Sequence, residues 1–425
     1  MITYPAGILT GLRQFGSTII YKAYIRNTNY TKVGGEWVNN GAWTELGQVL
    51  HYKQDISADF LRSNSQKIEL EVKGLVDFKD KEIKIEMEVR YRGASMQPLS
   101  ATMDLGYFYA KEWESDMETR NTKISEGYDR LLAFHEEYDE DLEFPMEVGE
   151  FLESLCASRK VNLDVSGVSG NLEKEMPHDM FKGVTGFTYR TALDDILQSV
   201  GLSARVYKNT LEVFDCSVGS YFTTTEKDFS ELKAGEVQNA FSLLNLAREP
   251  QHDNYFYPLE IPENPVEFVI ENNQISDNDR GGFAPEIYDL VHKITYRQFK
   301  SKTWGFPFLQ PLDRVRITEV EDISDFYSYV MRSTLEYNGG LTQTIEAVES
   351  QYLKEKYVLV TDRERSSIRT EIKVDKQAGE IELLSEEVKL KPSIYRQPEA
   401  PEDANESDLW LNTTENIIYY WDSEN

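Results

Sequence analysis

Only two cysteines, Cys156 and Cys216, occur in 425 residues, too few for the disulfide framework of a small secreted scaffold. Each stands among apolar neighbours, as a small core residue does, and no Cys-x-x-Cys exists to hold zinc or exchange thiols. Histidine is also scarce. His51, His135, His178, His252 and His292 are all too far apart in sequence to make a His-Glu-x-x-His metal helix. His135-Glu136-Glu137 opens like that motif, but Asp139 stands where the second ligand belongs. No apolar run approaches the roughly 18 residues of a membrane span. The opening Met1-Ile2-Thr3-Tyr4-Pro5 lacks the basic-then-apolar pattern of a leader, so synthesis and retention in a cytosol until lysis are expected.

Positive charge is in short supply too. Lys and Arg number 45 against 74 Asp and Glu, a net charge of -29, and a field of that sign repels phosphate backbones and anionic lipid. Nucleic acid and membrane are poor first partners for such a chain, whereas solubility or contact with basic protein surfaces fits. Motifs of catalysis are missing as well: there is no G-x-S-x-G, no Walker loop and no G-x-G-x-x-G. Asp277-Asn278-Asp279-Arg280-Gly281-Gly282 opens like a calcium loop, but Gly281 occupies a ligand position and Tyr288 the closing glutamate position; a Gly-tipped turn is expected. The acidic run from Glu136 to Glu143 could supply a carboxylate pair for glycoside hydrolysis or form a solvated loop. The expectation is no enzyme, no metal and no cofactor.

What is present is β pattern. Hydrophobic residues make up 40% and aromatics 12%, enough for two to four cored domains. Lys67–Lys73 and Glu82–Arg92 alternate strictly, placing Ile83, Ile85, Met87, Val89 and Tyr91 on one face, and the Leu75–Asp80 link suits antiparallel neighbours. Residues 1–112 are therefore expected to be a first β-domain. Over 113–215 the period becomes helical: Val148, Phe151, Leu152, Leu155 and Cys156 form one stripe, and Leu193, Ile196, Leu197 and Val200 another, with Thr191 as cap and Gly201 as stop. A short alternating strand follows each helix, and a third helix is expected around Tyr128–Phe134.

Residues 216–353 return to β, with candidate strands at 266–270, 313–317, 326–330 and 341–348 and a turn at Asn338-Gly339-Gly340. Residues 354–391 are read as a helical oligomerisation segment: Lys354–Ala378 is helix-compatible, but Tyr357, Val360, Ile368 and Ile372 are too sparse for a core within one chain, so the stretch is expected to be either disordered or a seam completed by other copies. Residues 392–425 read as a Pro-rich linker and an aromatic hairpin, in which Trp410, Tyr419, Tyr420 and Trp421 could stack on a partner or a glycan, or pack on one another or on symmetry mates. The fold class is α+β: two small β-barrel or β-sandwich domains flanking an α+β insertion, then a helical and hairpin extension.

This order of parts, with Tyr128-Asp-Arg-Leu-Leu132, Phe187-Thr-Tyr-Arg-Thr-Ala-Leu-Asp-Asp-Ile-Leu197 and Leu335-Glu-Tyr-Asn-Gly-Gly-Leu341, resembles the phage tail-tip and baseplate hub family, including the N-terminal structural part of tail-associated lysins. Asp408-Leu-Trp-Leu-Asn412 and Ile418-Tyr-Tyr-Trp-Asp422 resemble hairpins of phage tail and fibre proteins. The resemblance implies a homotrimer at the virion tail tip, assembled in the host cytoplasm. Its two barrel-like domains per copy would form a ring adapting six-fold tail symmetry to a three-fold tip and closing the tube. It also implies a distal tail protein ring, a tape-measure protein and tip or fibre proteins as partners. A carbohydrate- or receptor-binding module and a cell-wall hydrolase are the alternatives, although nothing after residue 353 is large enough for a lytic domain.

Overall fold

The computed structural model describes residues 2–14, 16–168, 171–176, 187–248, 253–263, 265–271, 273, 279–320, 324–348, 394–397, 409–412 and 417–420. They fall into two units, Met1–Leu359 and Val360–Asn425.

The first unit is built on an eleven-stranded sheet. Its strands are β1 (Thr18–Asn27), β2 (Thr44–Glu45), β3 (Val49–Ser57), β4 (Gln66–Lys73), β5 (Lys81–Arg92), β6 (Pro98–Asp116), β7 (Asn121–Tyr128), β8 (Phe229–Gln238), β9 (Tyr296–Thr303), β10 (Arg332–Tyr337) and β11 (Leu341–Ala347). Their spatial order is β8-β9-β11-β10-β3-β4-β7-β6-β5-β1-β2. Alternation sets the faces: Ile68, Leu70 and Val72 of β4 and Ile83, Ile85, Met87 and Val89 of β5 are buried, as the period of two requires. Tyr91 is only half-buried. The expected β4–β5 neighbourhood does not occur. The β6–β7 hairpin inserts between them, because a 19-residue strand pairs with β5 through its first half and with β7 through its second. At the changeover Gly106 has φ 144 beside a register shift, a bulge where only glycine sits without strain.

The sheet curls on itself. Strands β1 and β3 lie five steps apart in order, about 24 Å in a flat sheet, yet the rings of Tyr21 and Tyr52 are 5.0 Å apart. The short helix α1 (Ala6–Leu12) packs on this curl with Ile8 fully buried. Its Gly7 and Gly11 leave space for Tyr91 and Val89, where a Cβ would collide.

The two β-rich regions do not remain separate small sheets. Edge strands β3 and β10 pair antiparallel, from Arg332 opposite Ser57 to Tyr337 opposite Tyr52, so one ladder runs through both. The sheet also continues past residue 112, through β7. The β10–β11 turn falls at Asn338–Gly340, with Gly339 at φ 75.

The insertion holds α2 (Val148–Ser158) and α3 (Tyr189–Val200), which bury the expected stripes. Thr188, not Thr191, caps α3: its side chain accepts from Thr191 N–H, so the helix starts three residues earlier than expected. Gly201 ends it in the left-handed conformation. The expected third helix is a 3-10 turn at Arg130–His135, capped by Asp129. Strands 162–167, 210–214 and 203–207 form a sheet completed by Ser63–Asn64 from the first β-region.

Of the expected turn at 277–282, residues 277 and 278 lie outside the described residues, and 279–282 open a helix instead, α4 (Arg280–Val291), capped by Asp279. Phe283, Ala284, Ile287 and Val291 give it a buried stripe that Gly281, Gly282 and Pro285 obscure in sequence. Two three-stranded sheets complete the second β-region. One continuous core runs from Ile2 to Ala347.

In the second unit, the expected hairpin, Leu409–Asn412 with Ile417–Tyr420, gains a third strand, Ile394–Gln397, parallel to Leu409–Asn412.

Candidate functional site

Among the described residues, a set of buried polar groups lies where the first β-region, the insertion and the second β-region meet. Gln66 opens β4 in phase with the inward Ile68, Leu70 and Val72, and Gln54 on β3 is in phase with Tyr52 and Ile56. Buried amides must find partners. Gln66 N–H donates to Asp129 Oδ2 at 2.7 Å, Gln66 Nε2 donates to Gln310 Oε1 at 2.6 Å, and Gln66 Oε1 accepts from Gln54 Nε2. Tyr52 hydroxyl donates to Gln54 Oε1 at 3.1 Å.

Asp129 sits between β7 and the 3-10 turn. Its Oδ1 accepts from Leu131 N–H at 3.0 Å and from Ser65 hydroxyl at 3.1 Å. Burial nevertheless pushes its carboxyl up to about 6, against the pull of these donors and of Arg190. The network continues through Gln310 N–H, which donates to Asp313 Oδ2 at 2.8 Å. Arg205 on strand 203–207 closes it, donating to Asp313 Oδ1 at 2.7 Å, Pro311 O at 3.0 Å and Glu212 Oε2 at 2.8 Å. Such a network fixes the mutual register of three regions, since any slip strands a buried donor or charge.

The N-terminal segment spans the same regions outside the network. Ile2 N–H donates to Phe308 O at 3.2 Å, and the Tyr4 and Phe308 rings stack at 3.9 Å. Arg13 reaches Asp228 just before β8. Between this segment and the insertion lies a cavity of about 550 Å³, lined in part by Tyr4, Arg205, Glu212, Cys216 and Arg314. Burial pushes the Cys216 thiol up to about 12, and Cys156 is also fully buried with its thiol raised, so neither is a thiolate nucleophile at neutral pH.

The acidic run is engaged with the insertion helices. The Tyr189 hydroxyl lies 2.6 Å from both Asp139 Oδ1 and Glu140 Oε1, Arg159 pairs with Glu136, and the Arg159 guanidinium stacks 4.0 Å from the Tyr189 ring. Asp279 uses its carboxylate to cap α4, accepting from Gly282 N–H at 3.0 Å.

Of the residues singled out for contacts, Tyr357, Val360, Ile368, Ile372 and Trp421 lie outside the described residues. Trp410 stands opposite Tyr419, and Tyr420 opposite Leu409. The sequence reading missed the glutamine network altogether. Its one signal was two glutamines occupying inward positions of alternating strands.

No family model and no curated protein matches the sequence. Among solved structures the chain is similar to a tail protein from Neisseria meningitidis, at 16% identity over 77% of this chain and 96% of that one, TM-score 0.46. It is also similar to a 43 kDa tail protein of prophage MuSo2 from Shewanella oneidensis, at 10% identity over 77% and 97%, TM-score 0.46. A PdpA-VgrG complex of Francisella is similar at 10% identity over 84% of this chain and 62% of that one, TM-score 0.47. Tail proteins, the class that the order of parts resembles, are thus among its structural neighbours.

Proposed function

We propose that this chain is a structural hub at the tip of a phage-type tail. It forms a homotrimeric ring that adapts six-fold tail symmetry to a three-fold tip and closes the tube. The observation that carries the proposal is the β3–β10 ladder: it joins two β-rich regions of one chain edge to edge, so each copy offers two β-surfaces in a fixed relation and three copies offer six. The glutamine and Arg205–Asp313 network favours the same role, because it holds the two β-rich regions of each copy in the fixed relation that a ring needs. A distal tail ring, a tape-measure protein and tip or fibre proteins are the partners of such a hub, and residues 354–391 supply its inter-copy seam. The work is done by interfaces and calls for no catalytic residue.

The test is the mass of the purified full chain by light scattering and native mass spectrometry. Three copies of the 49.1 kDa chain are expected. A monomer at micromolar concentration overturns the trimeric hub.

A further inference from the structure

We infer that neighbouring copies of this chain meet head to tail, the tip of the β6–β7 hairpin of one copy docking on a patch of Tyr221, Arg314, Arg316 and Tyr327 on the next. The inference rests on the ring proposed above and names a pair of surfaces that joins its copies.

The patch is the outer face of the small sheet formed by Phe222–Thr225, Arg314–Thr318 and Phe326–Tyr329. Phe222, Val315, Ile317 and Phe326 are buried on its inner face, so Arg314 and Arg316 share the outer one. Arg316 stands opposite Tyr327. The Tyr221 and Tyr327 rings lie 4.5 Å apart, with the Arg314 guanidinium 4.0 Å from the Tyr221 ring and that of Arg316 5.7 Å from the Tyr327 ring. The hydrogen bonds of Arg314 go to neutral oxygens, Gly219 O at 3.1 Å and the Tyr221 hydroxyl, and its Nε has no partner among the described residues. Arg316 meets Asp325 at 2.9 Å in an exposed pair, and Tyr327 is 44% exposed. Tyrosine and arginine are the residue types that carry binding energy at protein interfaces. Paired with each other on an open face, they fit a partner that offers carboxylates beside an apolar side chain.

The hairpin tip offers that combination. Residues 112–120 hold Glu112, Glu114, Asp116 and Glu118 against a single Arg120, and all five are exposed. Met117, at the turn, is 75% exposed. The Asp116 carboxylate fixes the turn, accepting from Glu118 N–H and from the Thr119 hydroxyl, each at 2.8 Å, so Met117 and Glu118 are presented in a set conformation. A thioether packs on an aromatic ring and a carboxylate pairs with a guanidinium fork; Met117 thus matches Tyr327, and the acids around it match Arg314 and Arg316. Within one copy the two surfaces stand apart. Strand β4 runs from Gln66, bonded to Gln310 four residues before Arg314, to Lys73, whose Nζ donates to Thr119 O of the hairpin at 3.0 Å, a span of about 24 Å. One hairpin and one patch per copy, held apart in this way, make a heterologous contact that a closed ring repeats in every copy.

The test uses the full chain. Cys156 and Cys216 are buried, so Met117→Cys/Tyr327→Cys adds two reactive thiols, one on each surface. Oxidation with diamide is expected to link copies of this double variant into disulfide-bonded trimers on denaturing gels, while each single cysteine variant stays unlinked. Met117→Ser/Glu118→Lys on the hairpin and Arg316→Glu/Tyr327→Ser on the patch are each expected to weaken the trimer about tenfold or more, read by mass photometry over a dilution series, with near-UV circular dichroism reporting the fold. An equal mixture of these two variants is expected to give dimers, because one intact hairpin then meets one intact patch. Three results overturn the inference: the double cysteine variant stays unlinked, a single cysteine variant links to itself and so marks a two-fold contact, or the hairpin variant forms the trimer as tightly as the parent. A monomeric parent overturns the ring itself, so a failed contact and a failed hub are told apart.

Discussion

Arg13 grips Asp228 with two parallel hydrogen bonds, Nε to Oδ1 at 2.8 Å and Nη2 to Oδ2 at 2.5 Å, across 215 residues of sequence. Asp228 also accepts from Thr224 hydroxyl at 2.7 Å and Thr225 N–H at 3.3 Å. Burial opposes its charge, but the hydrogen bonds from Arg13 and Thr224 outweigh it and hold the carboxyl below its usual range. The N-terminal segment is thereby tied to the turn that starts β8.

Removing either partner should expose the difference between them. Arg13 is 43% exposed, so Arg13→Ala is expected to cost only about 1 kcal/mol. Asp228→Ala also removes a cap and is expected to cost about 2 kcal/mol. Thermal unfolding of the two variants checks the order; equal costs would show that the turn does not depend on Asp228. Because this carboxyl is depressed, its contribution is full above about pH 4 and is lost as pH falls through its lowered value.

Asp129 gives the opposite pH dependence. Its carboxyl rises from 3.8 to about 6 on folding, so between those values the folded chain holds a proton that the unfolded chain has released. Stability from this group is therefore full below about pH 4 and is lost as pH rises to 6. Above 6 it stays lower by about 3 kcal/mol. Urea titrations at pH 4.5 and 7 of the parent and of Asp129→Asn test this. The parent should lose stability over that interval relative to the variant, and parallel changes would assign the proton to another group.

The Arg205–Asp313 pair is 6% exposed on both sides, so removing Asp313 leaves the buried Arg205 with only Glu212, 40% exposed, to balance it. Asp313→Ala is expected to cost about 3–5 kcal/mol. The double variant Arg205→Met/Asp313→Leu should recover much of this, since neither buried ion of the pair then remains and Glu212, 40% exposed, is left to solvent. Denaturation of the two proteins measures the recovery.

Gly201 combines two demands. It has φ 72, and a Cβ there would meet Leu290 Cδ1 of α4 at 2.3 Å. Gly201→Ala is expected to cost about 2–4 kcal/mol, the sum of left-handed strain and overpacking. Gly201→Ala/Leu290→Ala should relieve the steric part, and thermal unfolding of both reports it.

How much of this was legible in the sequence differs element by element. The strands β4 and β5 and the stripe of α2 could be read because each has one buried face, and burial of one face writes its period into adjacent residues; α3, buried on nearly all sides, could still be read because polar residues keep its apolar ones at helical spacing. The turn at Asn338–Gly340 could be read because positive φ demands glycine there. Helix α4 could not, since two glycines and a proline mask a stripe that tertiary packing sustains. The Thr188 cap was missed by three residues because Thr188 and Thr191 carry the same chemistry, and only the chain's entry angle chooses between them.

The sequence by itself determined which apolar residues of β4, β5, α2 and α3 face inward, and that no metal or nucleophile motif is spelled out locally. Tertiary structure decided who pairs with whom: β6 and β7 between β4 and β5, β3 with β10, Thr334 hydroxyl with Asp55 Oδ1 across 279 residues, and Tyr395 in line with Trp410 and Tyr419. The physical reason is that periodicity records the side of a strand that is buried. Any two edges of matching period satisfy it equally, and the choice among them falls to packing and polar contacts between residues remote in the chain.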